Sequence, residues 1–478
     1  MFKQLWNIFR AQREPVALNP QDVVSAYNAT RKKELRGSFC YAPSVNMLFS
    51  QDGSVFACCH NLETSVGRYP DMSISQIWKS AQANAFRQRM ERFDLSHGCS
   101  ICKADLETHN FQEIRAGHFD RVPRHAQYPT MMEFVLTNTC NLECVMCKGE
   151  YSSMIRQNRE KLPPIRSPYD ERFLEQLKEF IPYLHETRFS GSGEAFAIDM
   201  NYRIWDMLLQ QNPGCIIMVQ TNGTFLNSRI KDYLERGNFQ IGVSLDSLKK
   251  EVYEGIRVHA SFDKVLSNID YFSDYCRKRK QKFVLAMCVM RENWRELPDF
   301  VNFANTKDAV VNFHKVWFPV ENALHNLSAD KLKEIYEYLS ARDVNEDGLH
   351  GKWNRRHYHY MVSVIKQWLD KALELGAEGR LVDTLHESEL LPYFEKKLRQ
   401  QLGYEDLTEE RRKEMEMYMS KVKTVVDYPG LPADRLTILK TICLVPPAEL
   451  EIPIKTKTAE ELIADLSMFV TQNAAVQN

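Results

Sequence analysis

The chain has 478 residues, 44% apolar and 26% charged, enough for two to three domains and a sizeable core. Its 62 Lys and Arg against 63 Asp and Glu leave a net charge of −1, so no global field draws it to nucleic acid or to an anionic membrane. No apolar run reaches the length of a membrane-spanning helix, and the N-terminus lacks the apolar core and cleavage site of a secretion signal. A cytoplasmic location follows as the expectation. There the twelve cysteines read as metal ligands or core residues, not disulfides.

Residues 1–35 open with "MFKQLWNIFRAQREP". Phe2, Leu5, Trp6 and Phe9 share one helical face, with Lys3, Arg10 and Arg13 among the polar positions. An amphipathic helix docked on the core or on a partner is expected. Peripheral membrane contact is the alternative.

Residues 36–125 form a small α+β module. "SVNMLFSQDGSVFACC" reads as two short strands joined around Asp52-Gly53, and "SISQIWKSAQANAFRQRMERF" reads as helix. Cys40, Cys58, Cys59, Cys99 and Cys102 fall here. The module is small for a self-sufficient core, and a bound metal would help hold it. Zinc is one candidate, since CxxC pairs serve it well. His60 and His97 lie near these cysteines and read as polar surface residues.

Residues 130–320 alternate between strand and helix patterns six times. Strands fall at "MMEFVLTN", "ETRFSGSG", "CIIMVQT", "FQIGVSLD", "FVLAMCVM" and "AVVNFHKVWF". The expected fold is α/β, a partial (β/α)6 TIM-like barrel of parallel strands. The helix around "FLNSRIKDYLERG" is expected to end at Gly237 as a C-cap glycine. The basic run Arg277–Lys282 reads as a solvated helix end. Ligands of such sheets bind at the C-terminal ends of the strands. The distinctive residues sit there: Ser192-Gly193-Glu194, Thr221-Asn222-Gly223, Ser244 with Asp246, and Arg291 with Asn293.

Residues 321–478 are charged and mostly helical. "LVPPAELEIP" reads as an extended connector, and Thr458 to Glu461 as a capping box.

After the first barrel strand comes "LTNTCNLECVMCKGE". It spaces Cys140, Cys144 and Cys147 as C-x3-C-x2-C. Three thiolates leave a metal position open, and open positions are where metal chemistry happens. A zinc site completed by a distant His or Cys is the bland alternative. This motif, with a Gly-Glu turn after the second strand, resembles the radical S-adenosylmethionine (radical SAM) superfamily. The resemblance covers roughly residues 131 to 320. It implies that Cys140, Cys144 and Cys147 hold a 4Fe-4S cluster whose open iron is chelated by SAM. Reductive cleavage of SAM would give a 5′-deoxyadenosyl radical that abstracts hydrogen from a substrate. Gly193 and Glu194, next to Ser192, match the turn that binds the SAM amino group. The resemblance likewise implies SAM contacts for Asn222, Ser244, Arg257 and Asn293. Met146 stands where the family commonly has an aromatic residue, and Gly-Ser-Gly-Glu-Ala replaces Gly-Gly-Glu-Pro.

The N-terminal cysteines are similar to the twitch/SPASM auxiliary-cluster domains of that superfamily, which commonly follow the barrel. Only the first half of the pattern is present, so one auxiliary 4Fe-4S cluster on Cys40, Cys58, Cys99 and Cys102 is implied. Cys59 is the spare, or exchanges with Cys58. Such relatives often modify peptides or proteins, so a peptide or protein substrate leads and a small molecule or carbohydrate follows. A flavodoxin or ferredoxin would donate the electron. No residue is singled out to quench the substrate radical. A non-enzymatic zinc or iron-sulfur scaffold is the alternative of another class.

Overall fold

Strand after strand, one face of the sheet carries aromatic and branched residues while the other carries Glu, Arg, Gln and Ser. That alternation sets the architecture. The computed structural model describes residues 20–107, 109–111, 113–319, 321–401, 409–430, 435–445 and 457–463. The amphipathic segment over Phe2–Phe9 and most of the connector after Leu444 lie outside them. The described residues fall into two compact units, 20–327 with 332–366, and 328–331 with 367–463.

In the first unit nine strands form one sheet. They are β1 (Asn46–Phe49), β2 (Ser54–Phe56), β3 (Gly67–Arg68), β4 (Met131–Phe134), β5 (Glu186–Phe189), β6 (Ile216–Thr221), β7 (Phe239–Ser244), β8 (Phe283–Val289) and β9 (Val310–Lys315). Their order is β3-β2-β1-β4-β5-β6-β7-β8-β9. Strands β4 to β9 pair in parallel in sequence order, the open six-stranded partial barrel expected. The cysteine-rich N-terminal segment extends the same sheet. Its β1–β2 hairpin turns at Gly53, and β1 lies parallel to β4, Asn46 opposite Met131.

The outward face is a row of rings. Phe49 stacks on Phe134 (centroids 5.7 Å apart), Phe134 on Phe189 (5.1 Å), and the Phe189 edge meets Trp205 (5.4 Å), which also meets Phe239. Trp205 is fully buried on the amphipathic helix Asp199–Gln211. Rows of this kind supply cross-strand pairing and most of the apolar burial.

The concave face is different. Glu133, Arg188, Met218 and Gln240 stand opposite one another at one level; Gln220, Gly242, Val284 and Val310 form the next. Above them come Ser244, Ala286 and Asn312, then Cys288 and His314. Many of these side chains are half-exposed. A closed barrel fills this face with Val, Ile and Leu. Here an open sheet leaves a polar lumen instead.

Two local expectations gain detail. Gly237 ends the helix Ser228–Arg236 as its C-cap, with φ −110°. A Cβ there would meet the Phe239 ring at 2.4 Å, so glycine serves close packing. In the basic run, Arg277–Arg279 close the helix Phe262–Arg279 and left-handed Lys280 caps it, but Lys282 turns in beside Gln240.

The second unit is helical, built from the distal part of Gly351–Thr384 with Glu387–Gln401, Glu409–Val426 and Arg435–Leu444. Leu390, Phe394, Leu398, Tyr418, Leu439 and Cys443 share its core. Lys397 Nζ reaches Glu378 (2.5 Å) and donates to the Cys443 carbonyl (2.9 Å). The Thr458–Glu461 capping box forms in both directions.

Trp205→Ala is expected to destabilise the sheet unit by about 3–5 kcal/mol, as for other large buried aromatics. Urea unfolding of the variant against the parent measures it.

Candidate active site

The loop after β4 carries Cys140, Cys144 and Cys147, and its shape is over-determined by hydrogen bonds. The Cys140 N–H donates to Ser153 Oγ (3.1 Å), Ser152 Oγ donates to the Leu142 carbonyl (2.7 Å), and Asn138 Nδ2 to the Gly149 carbonyl (2.8 Å). Val145 N–H donates to the Ile256 carbonyl (2.9 Å). Met146 packs with Val145 against Ile256 and Met290, an apolar wall beside the thiols. Burial pushes the Cys144 thiol up to about 12 and Cys147 up to about 11, and raises Cys140. As free thiols they hold their protons; a metal displaces them.

The turn after β5 comes up against this loop. Gly191 and Gly193 both have positive φ, and a Cβ on Gly193 would stand 2.7 Å from the Thr139 carbonyl. The Glu194 N–H donates to that same carbonyl (2.7 Å). The Glu194 carboxylate is buried. It accepts from Thr221 Oγ1 (2.6 Å), Asn222 N–H (2.6 Å) and Phe196 N–H (3.1 Å). Burial raises its pKa while these donors pull it down. Oε1 takes two of the three bonds, which leaves an acceptor site on Oε2. Ser192 Oγ approaches Gln51 (3.4 Å), and Gln51 Nε2 donates to the Glu150 carbonyl (3.0 Å). The N-terminal hairpin turn therefore touches the cysteine loop.

The structure gives the other singled-out residues distinct positions. Asn222 is buried, donates to Asn141 Oδ1 (2.9 Å) and accepts from Thr224. Ser244 Oγ accepts from Gln220 Nε2 (3.0 Å) on the concave face. The Arg257 guanidinium is buried, donates through Nε to Asp246 (2.7 Å), and brings Nη1 to 3.9 Å from Cys144 Sγ. Asn293 is fully buried; it donates to the Asp246 and Cys288 carbonyls and accepts from Met290 N–H. It ties the end of β8 to the end of β7.

Sequence reasoning placed Asp246 at a strand end without giving it a role. It is fully buried, pairs with Arg257, and accepts from the Cys288 N–H (2.7 Å). His314 and Lys282, on the concave side of the sheet, were also missed. The period-2 alternation within their strands is the signal that marks them.

The N-terminal cysteines are linked through Cys40. Cys40 feels the charge of Cys99 and Cys102, Cys102 that of Cys99, and Cys58 that of Cys40. Every one of the four sulfurs receives an N–H donor. Cys40 accepts from Ala42 N–H (3.4 Å), Cys58 from His60 N–H (3.3 Å), Cys99 from Asn61 Nδ2 (3.5 Å), and Cys102 from the Arg115 and Ala116 backbone. Donors aimed at sulfur favour thiolate and tune a cluster bound there, so this set fits an iron-sulfur group. Cys59 lies against Cys58. Its thiol is exposed, and the hydrogen bond from Cys58, then Arg115 and Arg188, bring it down to about 7. Among the described residues, no three His, Cys, Asp or Glu side chains gather closely enough for a single metal ion.

Residues 134–304 match the radical SAM superfamily, and residues 40–103 match SPASM, an iron-sulfur cluster-binding domain. A GTP 3′,8-cyclase of Limosilactobacillus fermentum is 29% identical over 208 residues, 41% of this chain and 58% of that protein. An uncharacterized protein of Archaeoglobus fulgidus is 30% identical over 180 residues, 37% of this chain and 38% of the other. The chain thus spans only part of the curated relatives it matches. Among solved structures, anSMEcpe with bound AdoMet aligns at 18% identity over 44% of this chain and 60% of that one, with TM-score 0.32. Streptococcus suis SuiB bound to S-adenosylmethionine aligns at 14% identity over 56% of this chain and 61% of its own, also at 0.32.

Anaerobic reconstitution with iron and sulfide is expected to load about eight irons per chain, two four-iron clusters. Cys144→Ala and Cys58→Ala should each retain about four, and Cys59→Ala all of them. An iron count that falls in Cys59→Ala and not in Cys58→Ala would reverse the auxiliary ligand assignment.

Proposed function

We propose that this chain, an iron-sulfur enzyme built from a radical SAM domain and a SPASM domain, cleaves SAM reductively to start hydrogen abstraction from a substrate in the barrel lumen. Its cofactors are a SAM-binding 4Fe-4S cluster, SAM, and an auxiliary iron-sulfur cluster. The observation that carries the reading is the Glu194–Thr139 contact, which brings a buried carboxylate turn onto the three-cysteine loop at the strand rim. Cys140, Cys144 and Cys147 would hold the first cluster and Cys40, Cys58, Cys99 and Cys102 the second. Bound there, cluster and SAM supply methionine and a 5′-deoxyadenosyl radical.

This chain's residues position and shield. Glu194 Oε2 keeps an acceptor for the SAM ammonium, a charge-assisted bond that burial strengthens. Asp246 fixes the Arg257 guanidinium by Nε with Nη1 beside the Cys144 thiol, and its remaining N–H groups would take the SAM carboxylate. Met146, Ile256 and Met290 form a dry, polarizable wall on which adenine would lie. Ser244, one level below the rim, is placed for a ribose hydroxyl. A flavodoxin or ferredoxin in the cytoplasm would supply the electron.

The substrate follows less directly. The SPASM domain favours a peptide or protein segment, modified as in maturation. A small polar molecule is the second reading, favoured by the half-exposed polar lumen and by the GTP 3′,8-cyclase relatives.

With SAM and dithionite under anaerobic conditions, the reconstituted protein is expected to release 5′-deoxyadenosine. Glu194→Gln should weaken SAM binding by about tenfold or more, the loss of one charge-assisted hydrogen bond of roughly 1.5–3 kcal/mol. Zinc in both sites with no deoxyadenosine would sink this reading in favour of a scaffold protein.

A further inference from the structure

At the end of the lumen away from the cysteine rim, cations collect. Arg188 on β5 points into the lumen, and Lys282 enters beside Gln240 at the start of β8. The helix Ala116–Phe119 and its flanks bring Arg115, His118 and Arg121 to the same place. Arg188 Nη2 donates to the His118 ring (3.0 Å to Nε2), which requires an unprotonated acceptor nitrogen. Arg188 Nε is held by Glu186 (2.5 Å). Glu133 accepts from Asn46 Nδ2 (2.7 Å). Arg115 Nε is buried and makes no hydrogen bond.

We infer that this floor is an oxyanion site, built to take a phosphoryl group of a small substrate whose reacting end lies at the SAM rim. The inference rests on the lumen being the substrate chamber. Four permanent cations, Arg115, Arg121, Arg188 and Lys282, face two carboxylates, Glu133 and Glu186, and Arg115 and Arg188 also face the Cys59 thiol. The excess, two positive charges with Cys59 protonated and one with it ionised, suits a phosphoryl oxyanion. Guanidinium forks on facing elements suit its several oxygens.

The neighbouring cations act on His118 and on one another. Burial and then Arg188, Arg115, Arg121 and Lys282 push His118 down to about 2, and partial desolvation with Arg188 and Arg121 lowers Lys282. Arg188 is paired with Glu186, while the buried Arg115 Nε is left without a hydrogen-bond partner, a costly arrangement that a bound oxyanion would relieve. Met218 and Gln240 complete the floor level, and between it and the rim the column is uncharged: Gln220, Gly242 and Val284, then Ser244 and Ala286. From Gln240 to Ser244 the strand rises about 13 Å, the reach of a small phosphorylated molecule.

The test uses reconstituted full-length protein and radiolabelled pyrophosphate in equilibrium dialysis, with SAM binding measured alongside. Saturable pyrophosphate binding is expected, weakened tenfold or more in Arg188→Gln and in Lys282→Gln. Arg236→Gln, on an exposed helix, should bind as the parent does. SAM binding should be unchanged in all three variants. Lys282 is exposed, so its substitution tests the site without burdening the fold. Binding that ignores both substitutions overturns the inference. So does a parent that takes a glutamate-rich hexapeptide and not pyrophosphate, which would put carboxylates at the floor. Pyrophosphate binding with the expected variant pattern in a protein that fails to cleave SAM would leave the floor site standing and remove the radical reading alone.

Discussion

Glu194 is a buried carboxylate that three separate strand ends need at once. Its backbone N–H reaches the loop after β4, and its side chain collects Thr221 and the Asn222 N–H after β6, while the residue itself ends the turn after β5. An open barrel has no closing strand to enforce the spacing of its rim. Here hydrogen bonds to one anion do so. Burial alone would neutralise the group, and three donors oppose that. Asn222 extends the tie by binding Asn141, inside the cysteine loop. The cysteines are consequently held by the neighbouring strand ends as well as by their own loop.

Asp246 does a parallel job on the far side of the same loop. It is fully buried, yet each carboxylate oxygen has a donor, Arg257 on one and the Cys288 N–H on the other. Arg257 is thereby fixed against Cys144. Removing either partner would leave an uncompensated buried charge, which is far more costly than losing a surface pair. Glu194 and Asp246 bracket the thiols with two acidic anchors, and the positive charge between them belongs to Arg257.

Much of this was legible in the sequence. The six strands carry strong apolar runs between helical patterns, and Asp52-Gly53 is a turn with a backbone reason, since Gly53 has φ +90°. The cysteine spacing and the Gly-Glu turn are local signals, so they can be read without the fold. What escaped was set by register. Asn293 looks like a rim residue by position, but its amide closes three backbone groups inside the core. Lys282 looks like the tail of a basic run, and only the pairing of Ile241 with Phe283 shows which face it joins. Likewise the parallel pairing of β1 with β4 joins segments 85 residues apart, too distant for any local pattern to reveal.

That pairing has a consequence for synthesis. A chain emerging at about 5–20 residues per second exposes β1 for roughly 4–16 s before its partner β4 exists. The antiparallel β1–β2 hairpin can form at once, because its register is local. During those seconds β1, apolar at Met47, Leu48 and Phe49, presents an unpaired edge of the kind that recruits other chains. The nascent hairpin also carries Cys58 and Cys59, just past β2 on the other side of β1. Slow translation or delayed barrel formation would therefore show first as aggregation seeded at the N-terminal hairpin.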